Sequence, residues 1–275
     1  MNNRIIANYD KVKSTKLYFP LLLLILIILF LFLRDSLNAK NYVKIQEPIF
    51  FYFNNLLGQF SSIEHNLTQI GDATIIFSFL SLFLVKAPKI WESLLSASIV
   101  SLIFSRLLKM IFWIPRPQQI YDNSKITIIG DKAIGFSSLP SGHSITIFTT
   151  LTVLLFAFLP KKRHNKVIYI TSFVIIGFGI AMSRVGVGAH HPLDVVIGCI
   201  IGYICGLLGI FISKKYNIWS WINDKKFYVL LICLLLVLLI TVAVKLYESN
   251  LIIYYFSIAT LIISIYKLNH AYAKK

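Results

Sequence analysis

The sequence predicts an all-α fold, a polytopic helical bundle that crosses a membrane about eight times. Two observations carry that expectation. Of the 275 residues, 57% are hydrophobic and only 14% charged, with a mean hydropathy of +0.76; a soluble domain carries about a quarter charged residues. Several apolar runs also approach or exceed the roughly 20 residues that a helix needs to cross a bilayer.

Eight runs read as spans: 17–33, 70–85, 90–108, 144–160, 167–183, 193–213, 227–244 and 251–266. The first lacks a small-residue cleavage site and is long for a signal-peptide core, so it reads as a retained anchor. Alternate connecting segments are rich in Lys and Arg. Arg4, Lys11, Lys13 and Lys16 precede the first span, and Lys86 and Lys89 follow the second. "KKRHNK" at 161–166, Lys214, Lys215, Lys225, Lys226, Lys267, Lys274 and Lys275 complete the set. By the positive-inside rule both termini are expected in the cytoplasm of a bacterial inner membrane, with 34–69, 109–143 and 184–192 on the outer, periplasmic side.

The outer segment 34–69 contains "IQEPIFFYFNNLLGQF", whose aromatic and aliphatic content suggests a helix lying in the interface. Trp91, Trp113, Trp219 and Trp221 fall near span ends and read as headgroup anchors. The expected organisation is 1–69 for the tail, first span and interfacial segment, 70–213 for a catalytic membrane core, and 214–275 for two further spans and a tail. Oligomeric state has no signature here.

Composition also excludes classes. The net charge of +16 sits in short inter-span segments, with no aromatic-interleaved basic face, so nucleic acid is not the partner. Cys199, Cys205 and Cys233 lie inside apolar runs without disulfide or metal-type spacing and read as small buried hydrophobes.

The outer segments concentrate the chemistry. Lys109, Arg116 and Arg184 have almost no carboxylates near them in sequence and suit an anion; the planar guanidinium fork suits phosphate oxygens. Ser141 fits the N-cap of the fourth span, and Gly142 allows close approach to backbone N–H groups that favour an anion. Pro192 fits the first turn of the sixth span, a second helix start aimed at the same region. Asp194, four residues after His190, is placed to hold one nitrogen of that imidazole and leave the other free as a nucleophile. His191, directly before Pro192, is the competing candidate. His143 is available to protonate a departing oxygen. His65, His164 and His270 read as solvated, Asp122 and Asp131 as solubilising groups. With only eleven acidic residues, a hard-cation cage is not expected, and neither a metal nor another cofactor is implied.

Lys–x6–Arg–Pro (Lys109, Arg116, Pro117), Pro–Ser–Gly–His (140–143) and Ser–Arg–x5–His–x3–Asp (183–194) together resemble the three signature motifs of the type 2 phosphatidic acid phosphatase (PAP2) superfamily. The resemblance covers roughly residues 70–213. It implies a six-helix core and metal-independent removal of phosphate from a lipid. It further implies a phosphohistidine at His190 oriented by Asp194, with His143 as acid and then base. Lys109, Arg116, Arg184, Ser141 and Gly142 would hold the phosphoryl oxygens. A membrane-embedded lipid phosphate or diphosphate is then the expected substrate: undecaprenyl diphosphate, lipid A 1-phosphate or phosphatidylglycerol phosphate. Transfer of the phosphoryl group to a lipid acceptor is the alternative, and an anionic-lipid transporter or binding protein a remote one. The two spans after residue 226 exceed the usual six, and Asp72 in "GDA" is either a helix cap or an assistant to the site.

Overall fold

The computed structural model describes residues 1–273, so Lys274 and Lys275 of the charge pattern lie outside the described residues. The described chain is all helical: α1 (Asn2–Asp10), α2 (Tyr18–Leu33), α3 (Ala39–Gly58), α4 (Ser61–Ile70), α5 (Ala73–Leu80), α6 (Pro88–Phe112), α7 (Pro117–Ile120), α8 (Gly142–Ala157), α9 (Arg163–Gly186), α10 (Pro192–Lys215), α11 (Tyr228–Glu248) and α12 (Ile252–Ala273). Six of the eight expected spans have a helix of crossing length, and 70–85 and 144–160 hold shorter apolar helices. Six helices are long and apolar enough to cross a membrane, which makes the chain a multi-pass membrane protein. The 24 residues of α9 or α10 rise about 36 Å, against a hydrocarbon core of about 30 Å.

The run at 70–85 departs from a single span. Gly71 and Asp72 separate α4 from α5, and the Asp72 carboxylate accepts from Thr74 N–H at 2.7 Å. A capped N-terminus starts a new helix there. The 16-residue α8 is likewise shorter than those six, of which α2 is continued at its start by a 3-10 turn to span Ser14–Leu33.

At the centre, α10 packs against α6 and α8. Glycines permit the approach: a Cβ at Gly202 would meet Ile145 O at 2.5 Å, and one at Gly209 would meet Ala97 Cβ at 2.4 Å. Small residues at helix contacts are the usual way membrane helices come close. Outward faces stay apolar, with Ile25, Ile175 and Ile240 exposed to the surroundings.

Two tryptophans depart from the anchor expectation. Trp91 is buried and donates to Leu80 O at 2.8 Å, and Trp219 donates to Ser96 Oγ at 3.0 Å, because each indole N–H finds an internal acceptor. Cys199 and Cys205 are buried as expected, whereas Cys233 is exposed on α11, whose outer face has no protein neighbour. The basic segments gather at one end of the bundle, where Lys214 Nζ bonds Tyr9 O at 3.1 Å and Lys89 Nζ bonds Ser213 O at 2.5 Å. The motif residues gather at the other.

Candidate active site

The segment 34–69 does form helices, but they pack on the bundle. The buried positions Tyr42, Val43, Gln46, Phe50 and Asn54 make one stripe along α3, at the three- and four-residue spacing of a packed helix face. That stripe rests on α9 and α10. Asn54 is a bracket: its amide donates to Thr127 O, Val185 O and Gly186 O at 2.9–3.1 Å and accepts from Thr127 N–H at 2.7 Å. It thereby fixes the loop around Thr127 and the end of α9 that carries Arg184.

Local sequence explains how each motif reaches the site. Helix α6 stops at Trp113, whose φ of 48° is left-handed; the ring stacks on Phe136 at 5.6 Å. The turn folds the chain back three residues before Arg116, which lies between two prolines. A residue before proline is driven to extended backbone, and Arg116 has φ −77° and ψ 156°. Ser141 N-caps α8, accepting from Ser144 Oγ at 2.9 Å, and its own N–H donates to Asp194 O at 3.0 Å. That single bond joins the Pro–Ser–Gly–His motif to the His–x3–Asp motif.

The three cations converge here without ion pairs. Among the described residues, none of Lys109, Arg116 and Arg184 has a carboxylate within 4.0 Å. A Cβ at Gly142 would sit 3.6 Å from Lys109 Nζ, so the ammonium lies over the start of α8. Arg184 Nη1 donates to Thr68 Oγ1 at 2.5 Å, while its Nε is buried without a partner. Arg116 Nη1 lies 3.4 Å from His190 Nε2. Lys109, Arg116 and Arg184 all exert their charge on His143, which is packed tightly: a Cβ at Gly71 would meet His143 Cβ at 2.7 Å.

Asp194 is fully buried and held by three donors. Tyr42 Oη donates to Oδ1 at 2.8 Å, Ser138 Oγ to Oδ2 at 2.6 Å and His191 N–H to Oδ2 at 2.9 Å. The expected direct bond to His190 is absent: Nδ1 stands 3.7 Å from Oδ2. Ser138 sits beside the pair, its hydroxyl donating to Oδ2 while standing 3.5 Å from His190 Nδ1. His190 nevertheless points Nδ1 at Asp194 and Nε2 at Arg116. Burial, opposed by Asp194 and reinforced by Arg116 and Arg184, pushes its pKa down to about 3, so the imidazole is neutral. His191 Nδ1 lies 3.4 Å from the same Asp194 Oδ2, but its ring packs against Phe50 at 5.7 Å and Tyr121 at 6.1 Å and neither ring nitrogen makes a hydrogen bond. His190 Nε2 is the one beside Arg116.

Two residues read as solvent-facing belong to this region. His65 is half buried, and with the rim residue Asp131 it lines a cavity next to His143. Asp122 is exposed and caps the Ser124 N–H. Asp72 is a helix cap, and it also pairs with Lys245 at 2.9 Å. Sequence reasoning missed Tyr42, Thr68 and Ser138; none sits at a recurring offset from the motif residues it serves.

The model of the PAP2 superfamily matches residues 90–218. Over 81 residues the chain is 30% identical to the bacitracin transport permease protein BcrC of Bacillus licheniformis, covering 30% of this chain and 36% of that protein. Over 112 residues it is 31% identical to a lipid A 1-phosphatase of Rhizobium etli, covering 40% and 44% of the two chains. The chain thus spans less than half the length of the curated relatives it matches. The crystal structure of Aquifex aeolicus LpxE aligns with a TM-score of 0.49 and 28% identity, over 62% of this chain and 96% of that one.

Proposed function

We propose, from the match of residues 90–218 to the PAP2 superfamily, that this chain is a membrane lipid phosphatase working through a phosphohistidine. The observation that carries this reading is the orientation of His190, with Nε2 3.4 Å from Arg116, one of three cations that lack ion pairs, and Nδ1 toward a buried carboxylate. A phosphate monoester or diphosphate headgroup brings the negative charge those cations lack, and lysine and arginine hold its oxygens.

The neutral His190 attacks phosphorus through Nε2. A P–N bond forms as the P–O bond to the leaving group breaks, and His143 gives that oxygen a proton. Asp194, steadied by Ser138, favours the Nδ1–H tautomer and the positive charge the ring acquires. His143, now a base, takes a proton from water. The water oxygen displaces Nε2, inorganic phosphate leaves and the imidazole returns to neutral. Lys109, Arg116, Arg184 and the α8 N-terminus, with Ser141 and Gly142, stabilise the equatorial oxygens throughout.

The positive-inside pattern supports an outward-facing site at headgroup level with both termini in the cytoplasm. The names of the relatives direct attention to envelope lipids, with lipid A 1-phosphate, undecaprenyl diphosphate and phosphatidylglycerol phosphate as candidates. The test is phosphate release by detergent-purified protein in EDTA on those three lipids and phosphatidic acid. Release that falls by about 10³-fold or more in His190→Ala supports the reading; a phosphorylated lipid acceptor without free phosphate points to phosphotransfer instead.

A further inference from the structure

A cavity of about 510 Å³ adjoins His143 and Arg184, and the steps above leave most of its wall unused. Part of that wall lies beyond the matched family segment: Lys245 and Glu248 at the end of α11, Ser249, and Tyr254 in α12. Two polar ties fix these helices against the core. Lys245 Nζ bonds Asp72 Oδ2 at 2.9 Å, and Asn66 Oδ1 accepts from Ile253 N–H at 3.1 Å. Asp72 itself starts α5, one residue after the Gly71 on which His143 packs.

We infer that α11 and α12 complete a leaving-group pocket that admits a hydroxyl-bearing headgroup, glycosyl or polyol, in preference to a second phosphate. This rests on the phosphatase reading, in which His143 protonates the leaving oxygen. The cavity reaches His143 but not His190, Lys109 or Arg116, so it lies on the side where the leaving group departs.

Its charges decide the chemistry. Arg184 is engaged with the transferred phosphoryl group. The remaining formal charges along the wall are Asp72, Asp131 and Glu248 against Lys132 and Lys245. A second phosphate would meet three carboxylates and two ammoniums, one of which is already paired. A neutral polyol suffers no such repulsion: its hydroxyls donate to the carboxylates and accept from the ammoniums. Selectivity of this kind comes from like charges set against the wrong ligand. Lys245 is the specificity residue, with Asp72 positioning it.

The test compares kcat/KM on lipid A 1-phosphate and undecaprenyl diphosphate, using the full chain in detergent, with p-nitrophenyl phosphate as a substrate lacking any lipid headgroup. The wild type is expected to favour the glycosyl lipid by about tenfold or more. Asp131→Asn with Glu248→Gln, both exposed positions, narrows that ratio several-fold by raising turnover of the diphosphate. Lys245→Met raises KM for the glycosyl lipid by about tenfold. A wild type that prefers the diphosphate overturns the inference. So do variants in which both rates and the melting temperature fall together while the ratio stays fixed, because that is the behaviour of helices that only pack. Failure on all three substrates, p-nitrophenyl phosphate included, removes the phosphatase reading itself and the inference with it.

Discussion

The Tyr42 hydroxyl donates to Asp194 Oδ1 at 2.8 Å across 152 positions of sequence, joining the helix over the mouth of the site to its buried carboxylate. Together with Ser138 on Oδ2, it fixes the carboxylate that faces His190. Tyr42→Phe removes one charge-assisted bond, worth about 1.5–3 kcal/mol, with little change in volume. The expected outcome is a fall in kcat of about tenfold with KM nearly constant. Ser138→Ala is expected to cost more, because its hydroxyl touches both partners, 2.6 Å from Asp194 Oδ2 and 3.5 Å from His190 Nδ1. Steady-state kinetics on the two variants check the order; equal rates in wild type and both variants contradict it.

Gly71→Ala tests the packing of His143. The backbone at Gly71 has φ −78°, open to any residue, so strain is not at issue. The added methyl lands 2.7 Å from His143 Cβ and must displace it. Misplacing a proton donor by about an ångström costs up to roughly 10²-fold. We expect kcat to drop by that order while the melting temperature moves little, with thermal unfolding measured beside the kinetics.

Asn54→Leu is a stability prediction. It strips partners from Thr127 N–H and from the carbonyls of Thr127, Val185 and Gly186. Orphaned buried polar groups cost about 1–3 kcal/mol each, less where water reaches them. A net loss of about 2–4 kcal/mol is expected, read as a lowered unfolding midpoint, with faster hydrogen exchange at Thr127 and Gly188.

The pH dependence of stability follows from His190. Its pKa is lowered from 6.5 to about 3 in the folded chain. Between those values the unfolded state carries the extra proton, so stability rises with pH across that window and is lost as pH falls through it. His190→Gln has no such group. Unfolding midpoints measured from about pH 7 to about pH 4 should therefore decline less steeply in the variant than in the wild type; parallel curves would show that the imidazole is not held neutral by the fold.

Much of this architecture was legible in the sequence because membranes write their constraint into composition. Six of the eight expected spans have a helix of crossing length, and the motif residues meet at one end. The direction Asp194 would face was legible in its spacing from His190, but the hydroxyl beside them was not. Ser138 lies in an irregular loop, where no periodicity announces a contact. Tyr42 and Thr68 act across more than a hundred residues, and α3 reads as an interfacial helix because its aromatic content is the same whether lipid or protein covers it. Asp72 and Lys245 illustrate a further limit. Each is an ordinary polar residue at a helix end, and only the fold makes them a pair.

The central claim is that His190 carries the phosphoryl group, and the direct test is to trap it. Protein would be mixed with a ³²P-labelled substrate, quenched in alkaline detergent, digested and mapped, using wild type, His143→Ala and His190→Ala. The account predicts acid-labile, base-stable label on the peptide containing His190. With labelled p-nitrophenyl phosphate, whose phenolate departs without an acid, it should accumulate in His143→Ala, where the water step lacks its base, and be absent from His190→Ala. Label on another residue, or turnover that survives in His190→Ala, would contradict it.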